Sequence, residues 1–114
     1  MLSINDKYMF LIDKDNTHKS DLERKSLFYI LAGNYDLYEK KHFIYDFEER
    51  SINLECLESD FLDFSTSARK LLELAFNHFN GMNKADVSEI LSVLDEDNLK
   101  LAIDSMKIRY GLES

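Results

Sequence analysis

Apolar positions recur at helical spacing along most of the chain, in stretches set off by polar clusters. That pattern predicts an all-α fold, one compact domain of five or six helices over residues 1–114 with no substantial sheet. The first stretch, about Ser3 to Asp13, carries Ile4, Tyr8, Leu11 and Ile12 on one stripe. Ser3 is its expected cap and Asp6 suits the positive end of the helix dipole. After a polar turn from Lys14 to Lys19, Ser20 is read as the cap of a second helix that turns Leu27, Ile30 and Leu31 inward, with Leu22 and Phe28 flanking. Asn34 and Asp36 then start a short helix through Leu37 and Tyr38. Gly33, Gly81 and Gly111 each close an apolar stretch, where a residue with positive φ is expected.

The middle of the chain is less regular. Aromatic and β-branched residues dominate from His42 to Phe47, and with no second strand evident to pair with them the expectation is a core-packed turn. Asn53 is a candidate cap for a helix over 53–64 with Leu54, Leu57, Phe61 and Phe64 on one face, although Ser59 and Asp60 can break it. Farther on, Ser65 to Ser67 precede a helix in which Ala68, Leu71, Leu72, Ala75, Phe76 and Phe79 keep the spacing without a gap. Asp86 followed by Glu89 marks a short helix through Ile90, Leu91 and Leu94. Asp95 caps the last one, with Leu99, Ala102, Ile103, Met106 and Tyr110 expected inside.

These segments resemble a family of small uncharacterised proteins, a domain of unknown function found in low-GC Gram-positive bacteria and their phages and plasmids. The resemblance rests on KDNTHKSDLERKSLFYILAGNYDLY from Lys14 to Tyr38, IYDFEERSINLECLE from Ile44 to Glu58, LAFNHFNG from Leu74 to Gly81 and LDEDNLKLAIDSMKIRY from Leu94 to Tyr110. It implies a cytosolic protein of a bacterium or mobile element and brings no catalytic residues with it.

Composition narrows the function classes. The net charge of −8 disfavours non-specific binding to nucleic acid or anionic membranes. A lone Cys56 leaves no intrachain disulfide and fits a reducing compartment. The first fourteen residues lack the pattern of a signal peptide, and no apolar run approaches the roughly 20 residues of a membrane span.

Candidate chemistry is sparse. Asp13, Asp15, Thr17, Lys19 and Asp21 echo the alternate-residue spacing of a calcium loop, but His18 stands where the tight turn needs glycine and Arg24 where a bidentate glutamate belongs. The expected role of this stretch is an interhelical turn. His18, His42 and His78 have no zinc-type spacing with Cys56, so no metal or cofactor is expected. Cys56 is flanked by Glu55 and Glu58, which oppose thiolate formation and favour a small core residue over a nucleophile. The three C-terminal helices follow helix-turn-helix order, but charge argues against their reading DNA. Lys100, Asp104 and Lys107 read as a solvated ion-pair ladder on the last helix.

One segment stands out. From residue 46 to residue 63, Asp46, Glu48, Glu49, Glu55, Glu58, Asp60 and Asp63 face one basic residue, Arg50, so that eighteen residues carry −6 of the −8 total. On a helix over 53–64, Glu55, Glu58 and Asp63 would project opposite the apolar face, at a spacing of the order of phosphates along a nucleic-acid strand. The sequence therefore points to a non-enzymatic, cytoplasmic interaction protein whose acidic residues bind a partner with a basic surface. The most specific version is a phage- or plasmid-borne inhibitor of a nucleic-acid-binding host enzyme such as a CRISPR nuclease. An acidic face that only solubilises the protein is the plain alternative for the segment. The alternative for function is a bacterial regulatory adaptor, including a homodimer, that binds through an apolar helix face. Phe43, Tyr45 and Phe47 alternate beside the acidic segment and are expected in the core unless exposed at an interface.

Overall fold

Capping chemistry places most helix starts. In the computed structural model, which describes residues 2–58 and 62–112, Ser3 and Asp6 form a reciprocal capping box at the start of α1 (Ile4–Asp15). Asn34, Ser65, Asp86 and Asp95 cap α3 (Tyr35–Glu39), α6 (Thr66–Phe79), α7 (Val87–Ser92) and α8 (Glu96–Arg109). The second helix, α2 (Leu22–Gly33), begins one residue later than expected. Asp21, not Ser20, accepts from the Arg24 backbone N–H, while the Ser20 hydroxyl lies 2.6 Å from His18 Nδ1.

The all-α expectation holds in its coarse form, a mostly helical globule with a Cα radius of gyration of 12.8 Å, but the middle differs. Residues 42–47 are not an irregular turn. A single helical turn, α4 (Lys41–Ile44), leads into β1 (Tyr45–Asp46), which pairs antiparallel with β2 (Ser51–Ile52) in the register Tyr45 to Ile52 and Asp46 to Ser51. Within the described part of the expected helix over 53–64, α5 covers Glu55–Glu58, and residues 62–65 are not helical. The Leu54, Leu57, Phe61 and Phe64 face is thus not one helix face: Leu54 is exposed, Phe64 is buried in non-helical chain, and Phe61 lies outside the described residues. Helices of one or two turns raise the count to eight among the described residues, because four or five residues are too few to display a 3.6-residue period.

Helix α2 is the centre of the molecule. It packs against α1, α6 and α8, and Leu27, Phe28, Ile30 and Leu31 on it are fully buried. Two stripes are displaced from their expected positions. Ile4 on α1 is exposed, and Ile103 on α8 and Tyr110 at its C-cap face outward while Leu101 joins the expected Ala102 in the core. Of the three glycines only Gly111 has positive φ, at +75°; Asn16 and Arg50 supply the other left-handed positions. Gly33 serves a different purpose, since a Cβ there would overlap both δ methyls of the buried Leu101 on α8. Gly33→Ala is therefore expected to displace the Leu101 side chain from its place in the core and lower stability by about 1–3 kcal/mol, read from urea melts. Among the described residues no helix is long and apolar enough to cross a membrane.

Candidate functional site

The acidic segment is built around the hairpin. Asp46 Oδ1 accepts from the backbone N–H groups of Glu48 and Glu49, at 2.9 and 3.0 Å, and so shapes the turn between the strands. Arg50 closes that turn in the left-handed region, φ 55°. Asn53 then holds the base. Its backbone N–H donates to the Ile44 carbonyl at 2.8 Å, its side-chain amide donates to the Phe43 carbonyl at 3.0 Å, and its Oδ1 accepts from the Glu55 N–H that starts α5. Asp46, Glu48 and Glu49 thus lie on the hairpin, and Glu55 and Glu58 follow on the turn that leaves it. All five are exposed, as is Asp63. Asp60 lies outside the described residues.

A side-chain network that sequence reasoning missed ties the hairpin to the helices. Tyr45 points inward and donates from its hydroxyl to Asp15 Oδ1 at 2.7 Å, while Arg24 Nε donates to the same hydroxyl at 2.9 Å. Arg50 grips the Asp15 carboxylate with Nε and Nη2, at 3.1 and 3.0 Å, and its own carbonyl accepts from Arg24 Nη2 at 2.7 Å. Thr17 donates to the other Asp15 oxygen. Burial alone would raise the Asp15 carboxyl, but hydrogen bonds from Arg50, Thr17 and Tyr45 outweigh it and hold the pKa below the ordinary carboxylate value. Burial, and then the bond to Asp15, push the Tyr45 phenol up to about 12.

The network has an electrostatic consequence. Arg50, the one basic residue within the acidic segment, is spent on Asp15 of α1. Among the described residues no ion pair neutralises Asp46, Glu48, Glu49, Glu55, Glu58 or Asp63. The carboxylates do not, however, form a regular ladder on one helix, since α5 is four residues long. A shallow cleft of about 570 Å³ runs along the hairpin, and Lys14, His42, Phe43, Asp46, Phe47 and Glu48 line it. Of the alternating aromatics, Tyr45 is core, Phe47 is half-buried and stacks on Phe28, and Phe43 is exposed.

The remaining candidates have local roles. Cys56 is buried, and desolvation pushes its thiol up to about 11. His18 and His42 are exposed at separate places, and His78 is buried against Ser105. The calcium-like stretch is an interhelical turn in which Asn16 takes the left-handed conformation and Asp21 caps α2.

A model of a protein family described as of unknown function, DUF6075, matches residues 3–114. The chain belongs to DUF6075. No curated protein and no solved structure matches it. Membership in DUF6075 assigns no activity.

Proposed function

We propose that this chain is a non-enzymatic, cytoplasmic interaction protein that docks its acidic hairpin and α5 onto the basic surface of a nucleic-acid-binding protein. One observation carries the reading. The hairpin displays exposed carboxylates while its single cation is directed inward to a buried partner, so no cation of the hairpin itself offsets them. A surface of this kind competes with nucleic acid by charge density rather than by matching phosphate spacing. The resemblance to proteins of Gram-positive bacteria, phages and plasmids favours a specific form, an inhibitor of a host nucleic-acid enzyme such as a CRISPR nuclease.

Affinity for such an enzyme is expected to fall about tenfold or more between roughly 50 and 300 mM salt, as screening shortens the reach of exposed charge. Reversal of Glu48, Glu49, Glu55 and Glu58 to lysine is expected to abolish the interaction while the thermal midpoint stays near that of the parent. Binding that survives the reversal removes this face as the docking site.

A second reading, a regulatory adaptor or homodimer, is favoured by a different surface. Phe10 on α1 is exposed, as are Tyr35 and Phe43, and Lys41 bridges the elements by lying 3.9 Å from the Tyr38 ring centroid and 5.9 Å from that of Phe10. Sedimentation equilibrium separates the readings, because a homodimer needs this face covered by a second copy.

A further inference from the structure

The acidity of the chain makes its other face unexpected. A half-open cleft of about 640 Å³ lies between α1, α2 and α8, and four of the ten lysines line it: Lys19, Lys25, Lys100 and Lys107. Asp104 is the one acidic residue in the lining. It holds two of the ammonium groups in place, Lys100 at 2.9 Å and Lys107 at 3.8 Å. Lys25 is oriented by donating to the Lys19 backbone carbonyl at 3.2 Å. Four ammonium groups against one carboxylate leave the cleft strongly cationic in a protein of net charge −8.

Apart from the lysines, Asp104, Asn5 and Thr17, the lining is apolar and aromatic. Tyr8 and Tyr29 meet edge to face, with ring centroids 5.5 Å apart and planes at 79°, and Met9 and Ile108 extend the surface. The volume falls in the range of about 300–1,000 Å³ typical of small-molecule sites. We infer that this cleft binds a small aromatic phosphate, of the class of a nucleoside monophosphate, with its phosphoryl group among the lysines and its ring on the tyrosine and methionine floor. Two arguments fix that class. A monocarboxylate would leave most of the ammonium charge uncompensated, whereas a phosphoryl group brings close to two negative charges and three strong acceptor oxygens. Paired tyrosine rings beside a thioether offer a planar ring edge-to-face and sulfur contacts that a flexible alkyl chain does not exploit as well. The site is independent of the acidic hairpin, whose residues do not line it.

The test is titration of the full chain with adenosine 5′-monophosphate at low salt, followed by calorimetry and by amide chemical shifts. Saturable binding is expected, with shift changes at Lys19, Lys25, Tyr29 and Lys107. Adenosine and inorganic phosphate, each lacking one half of the ligand, are expected to bind at least about tenfold more weakly. Combined Lys25→Gln and Lys107→Gln is expected to weaken binding about tenfold at an unchanged thermal midpoint, and Asp104→Asn to strengthen it. The inference is overturned by any of three results: no saturation at about millimolar nucleotide, shift changes confined to other surfaces, or dodecanoate binding more tightly than the nucleotide.

Discussion

Asp15→Ala is expected to destabilise the protein by about 2–3 kcal/mol, because it removes charge-assisted hydrogen bonds and leaves a buried donor without an acceptor. The carboxylate is fully buried and gathers Arg50, Tyr45 and Thr17. Its loss leaves the Tyr45 hydroxyl in the core without an acceptor, and such an orphaned group alone costs about 1–3 kcal/mol. Arg50→Ala is expected to cost less, because Arg24 Nε still lies 4.0 Å from the carboxylate and Thr17 and Tyr45 still donate to it. Urea unfolding of the two variants checks both the size and the order. A loss below about 1 kcal/mol for Asp15→Ala would show that the hairpin is held by packing rather than by this network. Since the network is what turns Arg50 away from the acidic residues, the same variant is expected to loosen the hairpin and weaken any partner held by it.

Acid sensitivity above the carboxylate range is expected to come from His78. Its Nε2 lies 3.0 Å from Ser105 Oγ, and that hydroxyl donates to the Ala102 carbonyl at 2.7 Å. The serine proton is thereby engaged, so the imidazole must donate from Nε2, and Nδ1 remains a buried acceptor without a partner. Desolvation, with the Arg109 guanidinium as a smaller contribution, depresses the pKa to about 4. The sign follows from linkage. Between the folded value and the ordinary 6.5 the unfolded chain binds the extra proton, so stability is intact above about pH 6.5 and falls as the pH drops towards 4. The loss is expected to reach about 2 kcal/mol by pH 5 and about 3 kcal/mol by pH 4. Asp15 contributes only at lower pH, because its lowered pKa keeps it ionised until the solution is more acidic than an ordinary carboxyl requires. Thermal melts of the parent and of His78→Gln at pH 7 and pH 5 separate the two, and an equal pH dependence in both proteins would remove His78 as the source.

Particular residues show how far the pattern of the chain could be read. Ser3, Asp86 and Asp95 cap the helices they were expected to start, and Asn34 and Ser65 take that place where the pattern offered more than one residue, because each acts on a backbone N–H three residues away. Ser20 failed where Asp21 offered an equally suitable oxygen one position nearer the helix. The hairpin was hidden because strands of two residues leave no alternation to count, and its anchor is formed by Asp15, Arg24 and Arg50, which no local rule brings together. The ladder of Lys100, Asp104 and Lys107 was visible as ion pairs on one helix. That it also lines a cleft with Lys19 and Lys25 depends on how α1 and α2 lie against α8.

The chain by itself determined the starts of α1, α3, α6, α7 and α8, the apolar stripes of α2 and α6, and the concentration of negative charge between residues 46 and 63. Each of these is a matter of composition or of contacts within about four residues, where backbone geometry is known once a helix forms. The tertiary structure alone decided that Arg50 leaves the acidic segment for Asp15, that Gly33 yields space to Leu101 and that four lysines gather round one cleft. Those outcomes join residues distant in the chain, and which of them meet is settled only when the helices pack around α2.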